Sequence, residues 1–292
     1  MRDYAVFILS HGRSDRVITV DTLKKCGYTG KYYIVCDDED EELPEYKKRF
    51  ENVIVFHKGD YAGKFDIGDN GGNEKVVVYA RNAMYDLATQ AGYRYFVVLD
   101  DDYTDMEFRF PNETNTKLLG KKVDNAGAVF EAMFDFLDAS GAVTVCMAQG
   151  GDFIGGVKSG TYRQKLLRKA MNVWICDTEK PFKFYGRINE DTTTYSLLGQ
   201  RGVLFFTVCD VAVTQIQTQK NKGGLTDIYC DMGTYYKSFY SVMMSPSCVK
   251  VSVMGDNHSR IHHKVEWSYC VPKILNERYR KAGDGDGKKQ KG

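Results

Sequence analysis

The 292-residue chain is 43% hydrophobic and 27% charged with a net charge of +1, ordinary values for one large soluble domain or two modest ones. A charge so near balance excludes recognition of a polyanion by the field of the whole molecule, so any nucleic-acid contact has to come from a local patch. The eight cysteines contain no CxxC pair, which argues for reduced core thiols rather than a zinc site or a disulfide framework.

In chain order, YAVFIL (4–9) is a continuous apolar run. It is too short to span a membrane and suits a first buried strand better than a signal peptide. No later run approaches membrane-spanning length, so a cytoplasmic protein without a membrane partner is expected. RVITVDTLKKCG (16–27) reads as a helix stopped by Gly27. KYYIVC (31–36) and NVIVFH (52–57) are the second and third apolar runs. The connection GDYAGKFDIGDNGGN (59–73) is rich in Gly and Asp, and a loop of that length tends to be functional or disordered. NEKVVVYARNAMYDLATQAG (73–92) puts Val76, Ala80, Ala83, Met84 and Leu87 on one helical face, and Gly92 ends it. YRYFVVL (93–99) is the fourth run.

Short apolar runs alternating with amphipathic helices predict an α/β fold, a mostly parallel sheet with helices on both faces. Residues 103–125 lack clean periodicity, and 126–138 resume a helical pattern. GAVTVCMAQGG (141–151), GVLFFTVCDVAVTQI (202–216) and SCVKVSVMG (247–255) read as further strands, and TYYKSFYSVMM (234–244) as a helix. The low-complexity tail AGDGDGKKQKG (282–292) is basic and expected to be disordered. No internal repeat or linker divides the rest, so one domain over 1–281 with a C-terminal extension is expected.

The polar residues collect where the apolar runs stop. The first run ends at Ser10, His11, Gly12 and Arg13, the second at Asp37 and Asp38, the third at Lys58 and the fourth at Asp100. In an open α/β sheet these ends line the ligand crevice. Asp100, Asp101 and Asp102 follow one another, and in extended chain the outer two share a face. Such a pair suits a hard divalent cation, Mg²⁺ or Mn²⁺. An acidic loop capping the next element is the alternative.

The segment ARNAMYDLATQAGYRYFVVLDDD (80–102) resembles the centre of GT-A-fold nucleotide-sugar glycosyltransferases. In those enzymes an Arg-Asn pair on a helix precedes a hydrophobic strand and an Asp-x-Asp motif. The resemblance implies a GT-A-like (Rossmann-like) sheet. It implies that Arg81 and Asn82 help bind the nucleotide and that Asp100 and Asp102 hold a Mn²⁺ or Mg²⁺ ion on the diphosphate of a UDP-sugar donor. It also places Asp101 in the nucleotide site, Asp37 at the uridine, and Ser10, His11 and Arg13 at base and ribose. A surface ion pair for Arg81 and a turn-forming role for Asp37 remain open. The chemistry fits, because a nucleoside diphosphate leaves well only when its developing charge is neutralised.

GRINEDTTTYSLLGQRG (186–202) opens an expected helix with Glu190 and Asp191. In inverting GT-A enzymes a Glu-Asp pair at a helix start supplies the general base. The resemblance therefore implies that Asp191 takes the acceptor's hydroxyl proton with Glu190 nearby, while a helix N-cap is the plainer role for Asp191. GDNHSRIHHKVEW (255–267) offers His258 first and His262 second as a further metal ligand, one helical turn apart; a solvated basic loop is the alternative. QGGDF (149–153) is small enough for an acceptor to approach closely, or is a plain turn.

Two basic regions bear on the acceptor. Lys264, Lys273, Arg278 and Arg280 interleave with Trp267, Tyr269 and Tyr279, and Lys117, Lys121, Lys122, Arg163, Lys165, Arg168 and Lys169 lie mid-chain. They suit a nucleic-acid backbone groove or simply solvated faces. FILSHGRSD, ARN to LDDD, INEDTTTY and the late HSRIHH, in that order, are similar to the glycosyltransferases that accompany TET/JBP-type oxygenases, including the base J glucosyltransferase and phage relatives. This resemblance implies transfer of a sugar to 5-hydroxymethylpyrimidine in DNA, 5-hydroxymethylcytosine first, in the host cytoplasm if the chain is phage-encoded. Competing readings are a same-fold enzyme acting on surface polysaccharide or protein, and a nucleic-acid-binding module without activity. A nucleotidyltransferase is disfavoured because no Gly-rich, Lys-terminated phosphate loop follows the first strand.

Overall fold

A computed structural model describes residues 2–69, 76–216, 225–254 and 260–270. The strands are β1 (Tyr4–Leu9), β2 (Tyr32–Asp37), β3 (Val53–Phe56), β4 (Tyr95–Asp100), β5 (Tyr103–Pro111), β6 (Leu118–Lys122), β7 (Thr144–Ala148), β8 (Leu166–Leu167), β9 (Asn172–Asp177), β10 (Phe205–Gln215), β11 (Val249–Met254) and β12 (Arg260–Val265). One large sheet runs in the order β3-β2-β1-β4-β9-β7-β10-β5-β6, with β8 against β10. Only β5, β8 and β9 run against the other strands. β11 and β12 form a separate antiparallel pair.

Strand pleating divides the core in two. Val6 and Ile8 of β1 pack on one side with α1 (Ile18–Lys25), α2 (Leu43–Arg49) and α4 (Ala126–Ser140). Ala5, Phe7 and Leu9 pack on the other with α3 (Val78–Gln90), α6 (Glu190–Gly199) and α7 (Leu225–Met244). Two single turns, α5 (Gly160–Arg163) and α8 (Trp267–Cys270), complete the described helices. The mixed α/β architecture with helices on both faces is the one the alternating pattern predicts. Gly27 is required where α1 turns away: its φ is +68°, and a Cβ there would lie 2.2 Å from the Asp124 carbonyl oxygen.

Three segments differ from the sequence expectations. Residues 103–125 contain the β5–β6 hairpin, whose outer strand is largely exposed. Cross-strand charge pairs such as Lys122–Glu107 (2.8 Å) replace apolar alternation there. The Asn112 side chain closes the turn by accepting from the Thr116 and Lys117 amides. β9 was not expected at all: its apolar run is only the four residues Val173–Cys176, set between the polar Asn172 and Asp177. The segment after β11 is a strand where the spacing of His258 and His262 assumes a helix. His258 lies outside the described residues, as do the 282–292 tail and Lys273, Arg278, Tyr279 and Arg280.

The seven described cysteines are buried and free, as a reduced core requires; Cys230 is outside that set. Among the described residues no helix is long and apolar enough to cross a membrane.

Candidate active site

The carboxyl ends of β1, β2 and β4 and the amino end of α6 surround one cavity of about 900 Å³. Of the described residues expected to catalyse, bind the nucleotide or hold the metal, all but Asn82 line it. Two of the three successive acids are held by guanidinium groups, Asp101 by Arg13 and Asp100 by Arg81. Asp101 is buried, and it accepts from Ser10 Oγ (2.6 Å) and Arg13 Nη1 (2.9 Å). It thereby bolts the loop after β1 to the end of β4. Burial pushes its carboxyl up, Asp100 adds to that, and Arg13 and Ser10 oppose it.

Both oxygens of Asp100 accept from Arg81 Nη2, at 2.9 and 3.2 Å, and the Tyr103 hydroxyl donates at 3.3 Å. The Arg81 Nε donates to Glu190 Oε1 at 3.0 Å. This guanidinium is 5% exposed and lies over the Trp174 ring of β9 and over Phe184. Asp102, which lines the cavity with Asp100, is pushed up to about 7 by burial and by the charges of Asp100 and Asp101.

At the end of β2, Asp37 pairs with His11 Nδ1 (2.6 Å) and Lys58 Nζ (3.1 Å). Burial raises its carboxyl, but His11 and Lys58 outweigh burial and hold it at about 2. The same contact raises His11. Both Asp37 oxygens are therefore engaged by protein, and the group turned towards a ligand is the partly exposed imidazole.

Asn82, expected at the nucleotide, faces away from the cavity. Its amide donates to the Val78 and Phe184 carbonyls and its oxygen accepts from the Phe184 amide at 2.9 Å. It clasps the segment that leads into α6.

The start of α6 is built on Asn189, which holds a left-handed φ of +51°. Its Nδ2 donates to the Lys237 carbonyl (2.8 Å) and to Ser241 Oγ (2.9 Å), both on α7. A carbonyl can only accept, which fixes the orientation of the Asn189 amide. The same nitrogen faces His263 Nδ1 at 3.4 Å, and His263 Nε2 faces Thr192 Oγ1 at 3.5 Å. Burial, His262 and Lys237 push His263 down to about 3, so the ring is neutral. Asp191 is thus not the N-cap; its Oδ1 accepts from the next amide, Thr192 (2.6 Å). Burial raises both Glu190 and Asp191.

Asn189, Lys237, His263 and Trp174 escaped the sequence reading. Their one available signal is an Asn directly before an acidic helix start. His262, the second-choice ligand, stacks on His263 in β12. Among the described residues no group of three or more His, Cys, Asp or Glu side chains is assembled to hold a metal ion. Asp100, whose oxygens also accept from Arg81, and Asp102 line the cavity as hard oxygen donors, a set that fits an ion taking its other ligands from phosphate and water. In the QGGDF turn, Gln149, Gly151 and Asp152 line the cavity, and Asp152 is buried against Lys169. Several mid-chain basic residues expected at a groove are matched by acids, among them Lys122 with Asp105 and Glu107, and Lys165 with Asp210.

The family model described as TET-Associated Glycosyltransferase matches residues 4–224. No curated protein matches the chain. Among solved structures, A197 from STIV is similar at 14% identity and a TM-score of 0.37, covering 75% of this chain and 87% of that one. Mannose-1-phosphate geranyltransferase from Thermus thermophilus is similar at 11% identity and a TM-score of 0.28, covering 62% of this chain and 51% of that one.

Proposed function

Since the chain belongs to the TET-associated glycosyltransferase family, we propose that it moves a sugar from a UDP-sugar to the hydroxyl of 5-hydroxymethylpyrimidine in DNA, most of all 5-hydroxymethylcytosine. The observation that carries this reading is Arg81. One buried guanidinium reaches Asp100 at the end of β4 and Glu190 at the start of α6, within a single cavity. It sets the spacing between the acids assigned to the donor and those assigned to the acceptor.

On the donor side, His11 and Arg13 present N–H groups to the nucleotide, with His11 oriented by Asp37. Asp100 and Asp102 are the residues that would hold Mg²⁺ or Mn²⁺. When bound, such an ion neutralises charge on a departing diphosphate. Arg81 adds fixed positive charge on the same side. Across the cavity, burial keeps Asp191 above the usual carboxylate range, the direction that makes it a better proton acceptor near neutral pH. The acceptor hydroxyl gives its proton to Asp191 as its oxygen bonds to the anomeric carbon. The bond from that carbon to the diphosphate breaks, and its electron pair leaves with the phosphate oxygen. A base in duplex DNA must first be extruded from the stack.

The test is the mass of a hydroxymethylated duplex after incubation with the protein, a divalent cation and a panel of nucleotide sugars. Gain of one sugar per modified base, abolished by chelation, is expected. No transfer from any UDP-sugar would overturn the proposal. The acid-matched basic residues of the middle segments favour a second reading, the same chemistry on a surface polysaccharide or protein. That reading predicts no salt-sensitive DNA binding.

A further inference from the structure

The family match ends at residue 224, yet one wall of the cavity comes from beyond it, with Lys237 on α7, His263 on β12 and Trp267 on α8. We propose that Trp267 is the platform on which the planar base of the acceptor stacks, holding its hydroxyl towards Asp191. This inference rests on the glycosyltransferase reading given under the proposed function, and it assigns that reading's acceptor subsite.

The indole stacks on Tyr195, with centroids 5.5 Å apart and planes inclined by 16°. Tyr195 is 4% exposed and Trp267 is 39% exposed, so Tyr195 covers one side of the indole while much of the ring stays open. Both residues line the cavity. Tyr195 follows Asp191 by four residues on α6. That spacing puts the two side chains on one helical face with Cβ atoms about 5–6 Å apart. A ring laid on the open face of Trp267 is therefore within about a helical turn and two stacking distances of the proposed proton acceptor.

The platform is fixed rather than loose. The Glu266 amide donates to the Cys248 carbonyl at 2.7 Å, which anchors the start of α8 to the residue before β11. The Cys270 carbonyl sits against Gly199 at the end of α6, where a Cβ would lie only 2.8 Å away. Cys270 itself packs with Cys248 and Val249. A cavity of about 900 Å³ also lies near the top of the range for small-molecule clefts, roughly 300–1,000 Å³. It has room for an extruded base beside a nucleotide-sugar.

The plain alternative is that Trp267 only covers Tyr195, in which case bulk matters and planarity does not. Steady-state transfer to hydroxymethylated DNA by the full chain separates the two through Trp267→Phe, Trp267→Leu and Trp267→Ala. A stacking platform predicts a Phe variant near wild type, and Leu and Ala variants whose acceptor KM rises on the order of tenfold. Donor KM should stay within about twofold throughout. Equal acceptor KM values for the Phe and Leu variants would overturn the inference, and that comparison stands even if the Ala variant does not fold. Wild-type transfer to DNA with acceptor KM unmoved in every variant would overturn this inference alone. Wild-type transfer to a saccharide and to no hydroxymethylated base would overturn it together with the reading on which it rests.

Discussion

Asp100 and Asp102 are two residues apart and stand in different electrostatic settings. Asp100 is tied to Arg81, whereas Asp102 is pushed up to about 7, first by burial and then by its two acidic neighbours. An acid raised on folding costs stability once it ionises. The cost starts as pH rises past its unfolded value near 3.8 and is complete above about 7. Asp102→Asn in metal-free protein is therefore expected to melt at or slightly above the wild-type temperature at pH 8, while transfer is lost. Near-normal turnover in that variant would remove the metal role. Asp191→Asn is expected to lose turnover by roughly a hundredfold or more with donor affinity intact, measured by calorimetric titration of UDP-sugar. Loss of donor binding as well would mean a structural role. Asp37 and His11 shift in opposite directions. The depressed Asp37 contributes stability above about 3.8 and loses it as pH falls to about 2, and the raised His11 contributes below 6.5 and loses it as pH rises through its folded value. Melting curves of His11→Asn against wild type should differ most between about pH 4 and 6.5 and converge at alkaline pH. Asp37 and the Asp100–Asp102 run were legible in the sequence because they close apolar strands, and Glu190 and Asp191 because they open a helix. Asn82 and His263 were not, because their partners Phe184 and Thr192 lie 102 and 71 positions away.

At the scale of elements, Arg81 joins α3, β4 and α6, and Trp174 of β9 lies beneath it. Replacing it with Ala leaves Glu190 buried without its cation and opens space against Trp174 and Phe184. Breaking a buried pair from one side costs about 3–5 kcal/mol. Denaturant unfolding of Arg81→Ala should show a loss of that order together with loss of transfer. Wild-type stability would contradict the bridging role. The parallel strands and their helices were legible from periodicity, since each strand buries both faces and each helix buries one. β9 was hidden by its short, wholly buried run, and the β5–β6 hairpin by the charge pairs that replace apolar alternation at the sheet edge. β12 was misread because His258 and His262, four positions apart, suggest a helical turn, whereas His262 belongs to a strand and its ring lies against that of His263.

Across the whole molecule, a net charge of +1 gives no long-range pull on DNA, so the proposed recognition has to come from local groups. The strand ends and the first turn of α6 supply the acids, and the segment after residue 224 closes the wall around them. No periodicity in the sequence announces that closure, because it depends on how α7 and the β11–β12 pair fold back onto α6. In the proposed mechanism two acids at the rim of a buried sheet take hold of a cation beside a nucleoside diphosphate. Anomalous scattering from crystals soaked with Mn²⁺ and UDP tests it most directly. A manganese peak is expected, bonded to a carboxylate oxygen of Asp100 or Asp102 at about 2.0–2.3 Å and to the diphosphate. A bound UDP with no manganese beside either residue would contradict it.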